Sequence, residues 1–128
     1  MSYPARPLVL LSDPDSDSRE VYGTILRFMG AEVIETAEVS DAFIIAAREP
    51  ISAVVTELLL LPSGVHLHRA LSEGTSTRQL PVFVVTSEAR PELLMDARKC
   101  GTTVVRVKPL TPRDLALLVL GSKAALRN

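Results

Sequence analysis

Four short stretches carry side chains that can do chemistry: Asp13 and Asp15 around Pro14, Glu57 after Thr56, the hydroxyl of Thr86, and Lys108 before Pro109. Each directly follows a short apolar run. Carboxylates gathered from separate segments make an oxygen-rich site suited to a hard cation. A hydroxyl and an ammonium brought to the same place complete a set of polar groups on an apolar support. The question is which architecture would bring residues so distant in sequence together.

The chain has 128 residues, enough for one domain around one core. Nearly half of its residues are apolar, at 47%, and aromatics make up only 4%, so the core must be aliphatic. A net charge of -1 gives no reason to expect nucleic acid or an anionic membrane as partner. The single Cys100 rules out an intrachain disulfide and a multi-cysteine metal site, and it suits a reducing compartment. The opening "MSYPARP" does not read as a signal peptide, and no apolar run is long enough to span a bilayer. A cytoplasmic location is expected.

Strand and helix signals alternate along the chain. Leu8-Val9-Leu10-Leu11 is apolar without alternation, as in a strand covered on both faces. "SDPDSDSRE" is rich in turn and cap residues, and from about Asp17 the pattern turns helical. Val21, Ile25, Phe28 and Met29 fall at helical spacing, with Tyr22 and Leu26 beside them and Gly30 as the stop. "EVIET", Glu32 to Thr36, reads as a strand near a sheet edge. Ser40 and Asp41 open a second helix that Pro50 closes. Ala53 to Thr56 is the third strand. A helix is expected from about Val65 to Leu71, a strand from Pro81 to Thr86, and a helix at "PELLMDARK" with Pro91 at its start. Thr103 to Val107 is the fifth strand, and Thr111-Pro112 open a last helix, "PRDLALLVLGSKAAL".

Five strand–helix units of this length predict an α/β fold: a doubly wound, five-stranded parallel sheet with helices on both faces. The flavodoxin-like (βα)5 arrangement, with strand order 2-1-3-4-5, follows, and it places ligand sites at the carboxyl ends of the strands. Those ends carry Asp13, Asp15, Glu57, Thr86 and Lys108. One domain over 1–128, with its core at about 8–120, is expected.

The order and spacing of "LVLLSDPDSDSRE", "VVTEL" followed by "LPSG", "PVFVVTS" and "VKPLTPRDL" resemble the receiver domain of two-component response regulators, from about Leu8 to Leu120. The resemblance implies phosphate transfer from a histidine kinase to an aspartate ending the third strand. It implies a Mg2+ held by two acids after the first strand, with a Thr or Ser and a Lys contacting the phosphoryl oxygens. Asp13 matches the first acid. Glu57 falls on the acceptor, Thr86 on the hydroxyl position and Lys108 on the lysine, with Pro109 as the partner usually found in a cis bond. Val105 takes the position that often holds an aromatic switch residue.

Three departures bear on that implied activity. Glu57 is one methylene longer than aspartate, which moves its carboxylate out by about 1.5 Å, and transfer in line tolerates little displacement. Pro14 falls where the second acid should stand and brings neither a carboxylate nor an amide proton. Val105 cannot turn in concert with Thr86 as an aromatic would. Pro62 and Gly64 are also displaced, and a one-residue shift would put Thr56 or Leu58 at the acceptor position; neither is an aspartate. Mg2+ binding through Asp13 and Asp15 is therefore expected to be weak or lost, and no other cofactor is expected.

Blander roles compete residue by residue. Glu57 is either a solvated or salt-bridged acid, or it reaches Lys108 and imitates a phosphorylated receiver. Asp13 and Asp15 fit turn and cap roles as well as a residual cation site. His66 and His68 are expected at the surface, pointing to different helix faces. Cys100 is expected to be a small buried residue. The helix "PELLMDARK" reads as a solvated face or a partner-docking one. "SDPDSD" is acidic and lacks the glycines of a phosphate loop, which disfavours a flavodoxin proper, and no base with an orienter suggests an enzyme. The expected function is a receiver-like signalling domain working through protein–protein contact, independent of aspartyl phosphorylation. The alternative is a phosphate-accepting receiver. Expected partners are a histidine kinase, another receiver or an output domain, with a homodimer open.

Overall fold

The computed structural model describes residues 6–101 and 103–121. Strand and helix alternate through β1 (Leu8–Ser12), α1 (Ser16–Phe28), β2 (Glu32–Thr36), α2 (Val39–Arg48), β3 (Ala53–Thr56), α3 (Leu67–Glu73), β4 (Val82–Thr86), α4 (Pro91–Arg98), β5 (Thr103–Val107) and α5 (Pro112–Leu120). The five strands are parallel in the order β2-β1-β3-β4-β5. The expected flavodoxin-like fold is the observed one.

Side chains alternate across a strand, so the unbroken apolar runs feed two cores. Val9, Leu11, Val55, Phe83 and Val85 face α1 and α5, where they meet Leu26, Leu115 and Val119. Leu10, Val54, Val82, Val84 and Val105 face the other way, onto Ala42, Leu67, Leu71 and Leu94. Each fully buried leucine contributes roughly 1.5–3 kcal/mol. β2 lies at the edge, as its mixed polarity predicts.

Helix boundaries depart from the sequence reading where tertiary contacts intervene. α1 begins at Ser16, with Asp15 as its N-cap. Its buried residues are Tyr22, Gly23 and Leu26, whereas Val21 is 47% and Phe28 85% exposed. Of the row read at helical spacing, Ile25 packs on the core with Tyr22 and Leu26, whereas Val21, Phe28 and Met29 turn outward. α2 starts at Val39, ahead of the expected Ser40. α3 starts at Leu67, later than the expected Val65, because the residues before it fold back on themselves. Leu60 bridges His66, the Leu61 amide donates to Val65 O, and the Gly64 amide donates to Leu61 O. Gly64 makes that reversal at φ 89°, a left-handed conformation that side chains disfavour. β4 starts at Val82, one residue after the expected Pro81. The expected continuation of α5 through "SKAAL" lies outside the described residues.

Candidate functional site

The ladder geometry places the acids side by side. Ser12 pairs with Thr56, so Asp13 and Glu57 emerge together one residue further on. The pairing is extended by the Asp13 amide, which donates to Thr36 O, and by the Glu57 amide, which donates to Ser12 O, each at 3.1 Å. On the other side Thr86 pairs with Val107, and the Lys108 amide donates to Thr86 O at 2.7 Å. The Lys108–Pro109 bond is cis.

Lys108 ties the two acids. Its Nζ donates to Asp13 Oδ2 at 3.0 Å and lies 3.4 Å from Glu57 Oε2. Burial by itself pulls the lysine pKa down, but the hydrogen bond and charge of Asp13, with Glu57 behind them, outweigh it, and the net direction is upward. Asp13 is nearly sealed, at 4% exposure. Its Oδ1 accepts the Asp15 amide at 2.9 Å, and its carbonyl accepts Arg19 Nη1 at 2.7 Å. Glu57 Oε1 accepts the Leu58 amide at 2.9 Å, and its Oε2 accepts the Ser87 amide at 3.2 Å. Two carboxylates therefore share one ammonium and several backbone amides.

A cleft of about 510 Å3 opens beside Glu57, walled by Leu59, Leu60, His66, Thr86 and Arg90. A solved structure described as a response regulator receiver protein from Pseudomonas putida superposes on the chain with a TM-score of 0.82 at 26% identity, covering 94% of this chain and all, 100%, of that one. The chain is similar in fold and in sequence to response regulator receiver domains. The chemotaxis protein CheY4 of Vibrio cholerae has the same fold, with a TM-score of 0.79 at 22% identity over 91% of this chain and 98% of that one. Among curated relatives, the phosphate regulon transcriptional regulatory protein PhoB of Pseudomonas aeruginosa is 27% identical over 121 residues, 94% of this chain. The chain spans 52% of the length of that relative. The chemotaxis protein CheY of the same organism is 29% identical over 111 residues, 84% of this chain and 88% of its own. No family model matches the chain.

Asp15 turns away from the centre: its Oδ2 accepts the Ser18 amide at 3.2 Å and the Ser18 hydroxyl at 2.7 Å, capping α1. Those Ser18 bonds hold its carboxyl below the usual range. Pro14 intervenes between the two aspartates. Thr86 Oγ1 accepts the Glu88 amide at 2.9 Å and so braces the loop after β4. Val105 is 3% exposed in the α4-side core, opposite Val84. Among the described residues, no group of three or more His, Cys, Asp or Glu side chains converges as metal ligands would.

Several contributors escape sequence reading. The Ser87 amide is a backbone group and carries no residue signature. Arg19 reaches a carbonyl, and Tyr22 OH donates to Leu110 O at 2.8 Å across the α1–α5 side. His68 is a correction: expected at the surface, it is 1% exposed, because α3 begins late and turns it inward. His66 and His68 were expected to diverge, yet their rings stack at 5.3 Å, since His66 precedes the helix as its N-cap. Cys100 is buried as expected.

Proposed function

We propose that this receiver-type domain signals through protein–protein contact without accepting phosphate, with Glu57 as a built-in negative charge at the acceptor position. The observation that carries the reading is the placement of Glu57 Oε2, 3.2 Å from the Ser87 amide and 3.4 Å from Lys108 Nζ. The longer side chain delivers its oxygen to the lysine, which the resemblance assigns to phosphoryl contact. A carboxylate carries less charge than a phosphoryl group, so the imitation is partial.

The donor set argues in the same direction. A divalent ion wants several free carboxylate or carbonyl oxygens. Asp13 is engaged with Lys108, Asp15 with Ser18, and Pro14 offers nothing. The residues present do not fit Mg2+, and we assign no step to it. Nothing in the cleft pairs a nucleophile with an oriented base, so we read a binding module, not an enzyme. The proposed partners are signalling proteins: a histidine kinase, another receiver, an output domain or a second copy. Direct contact with nucleic acid or a membrane is not part of the proposal. No described helix is long and apolar enough to cross a membrane; a cytoplasmic location is part of the proposal.

Incubation with acetyl phosphate and Mg2+, followed by intact-mass measurement, tests the reading. The expected result is no mass gain. A stoichiometric gain of one phosphoryl group mapped to this site would establish the phosphate-accepting alternative instead.

A further inference from the structure

His68 lies outside the acid–lysine centre, and its surroundings are unusual. Its side chain is 2% exposed, and its Nε2 has no hydrogen-bond partner. Asp96 Oδ2 on α4 stands 3.8 Å away, beyond hydrogen-bond reach. The other oxygen of that carboxylate, Oδ1, already accepts Arg69 Nη2 at 2.6 Å. The His66 ring stacks on His68 with 28° between planes.

The charged and titratable groups that act on His68 are therefore His66 and Arg69 from its own segment and Asp96 from α4. Cys100 and Glu73 act on Arg69. With a proton on His68, the Asp96 carboxylate would be shared between that ring and Arg69, while the ring itself stays sealed from water. A buried charge whose neighbouring carboxylate is already engaged by another cation is costly to hold.

We propose that His68 is the trigger of an acid-opened latch: a proton gained at its buried Nε2 loosens α4 from α3. The sign follows from linkage. Burial pulls the His68 pKa below its ordinary 6.5; His66 and Arg69 add to that pull, and Asp96 opposes it without reversing it. A group whose pKa is lowered in the closed form stabilises that form above its ordinary value. The stabilisation is lost as pH falls toward the lowered one. Opening lets water reach the ring, so acid favours the open form. The gain in open population is about tenfold for each pH unit below the ordinary value, until the lowered value is passed.

The latch reaches the acid–lysine centre by two routes. The loop that leads into α4 carries Ser87, whose amide holds Glu57. The Leu67 amide, in the first turn of α3, donates to Leu59 O in the loop after Glu57 at 2.8 Å. The inference does not depend on whether Glu57 takes phosphate.

Native-state hydrogen exchange on the whole chain at pH 7.5 and 5.5, corrected for intrinsic rates, tests it. Amides at the end of α4, such as Lys99 and Cys100, should lose protection by up to about tenfold relative to amides of β3 and β4. His68→Gln, which cannot gain the proton, should show α4 protection that no longer depends on pH, while His66→Gln keeps the response. Should His68→Gln fail to fold, the His68 ring resonances of the unaltered protein serve: they must titrate with the midpoint of the α4 change. Protection of α4 that is flat with pH, lost equally in the strands, still pH-dependent in His68→Gln, or different in midpoint overturns the proposal.

Discussion

Lys108 Nζ stands 3.0 Å from Asp13 Oδ2, joining residues 95 positions apart at the carboxyl edge of the sheet. The Asp13 side chain is only 6% exposed and that of Lys108 18%, so this is a contact within the protein and not a surface pair. Removing one partner of a buried pair leaves the other charge uncompensated. Lys108→Met should therefore destabilise the fold by about 3 kcal/mol, read as a lower urea midpoint at unchanged slope. Because the lysine pKa is raised on folding, its contribution should hold from neutral pH up to the ordinary 10.5 and fade only above it. A Lys108→Met protein as stable as the original at pH 7 would show that the pair contributes nothing.

Glu57→Asp alone should not restore phosphate acceptance. The substitution shortens the side chain, but Pro14 still withholds a carboxylate and Asp15 still serves Ser18. Pro14→Asp combined with Glu57→Asp should label with acetyl phosphate and Mg2+, whereas either single change should not. Robust labelling of Glu57→Asp by itself would remove Pro14 from the explanation.

Asp15 should behave as a helix cap before anything else. Asp15→Ala should lower the thermal midpoint, and Asp15→Asn should lower it much less, because asparagine also caps well. Its carboxyl is held below the ordinary 3.8 by Ser18, so the ionised cap stabilises above that value. That stabilisation is lost as pH falls through the lowered one. The difference between Asp15→Asn and the original should shrink in acid, which thermal unfolding between pH 5 and about pH 2 would reveal. Equal losses for alanine and asparagine would point to another role.

Leu26 is fully buried between α1 and α5, with Leu115 and Val119 in the same core. Leu26→Ala should cost about 3 kcal/mol, and Phe28→Ala, at an 85% exposed position, less than about 0.5 kcal/mol. The comparison tests the phase of α1 directly. Had the stripe through Val21 and Phe28 been the packed one, the ranking would reverse.

The strand ends were legible because the signals are local. Unbroken apolar runs at Leu8 to Leu11 and Ala53 to Val55, each stopped by a polar residue, fix where the sheet ends and therefore where Asp13 and Glu57 emerge. Pro91 at the start of α4, and Thr111 capping Pro112 at the start of α5, fix helix starts in the same way. Helix phase was less legible. Val21 and Phe28 are as apolar as Tyr22 and Leu26, and only the position of α5 leaves the first pair outside the core.

The amino-acid order alone thus determined the alternation of strand and helix, the parallel sheet, and the roster of side chains at its carboxyl edge, because periodicity and turn chemistry act between near neighbours. Tertiary structure decided how those side chains are used. It gave Asp13 to Lys108 and Asp15 to Ser18, set the Ser87 amide against Glu57, and buried His68 beside Asp96. Backbone amides look alike in any sequence, and the burial of a ring depends on a helix that another part of the chain holds in place.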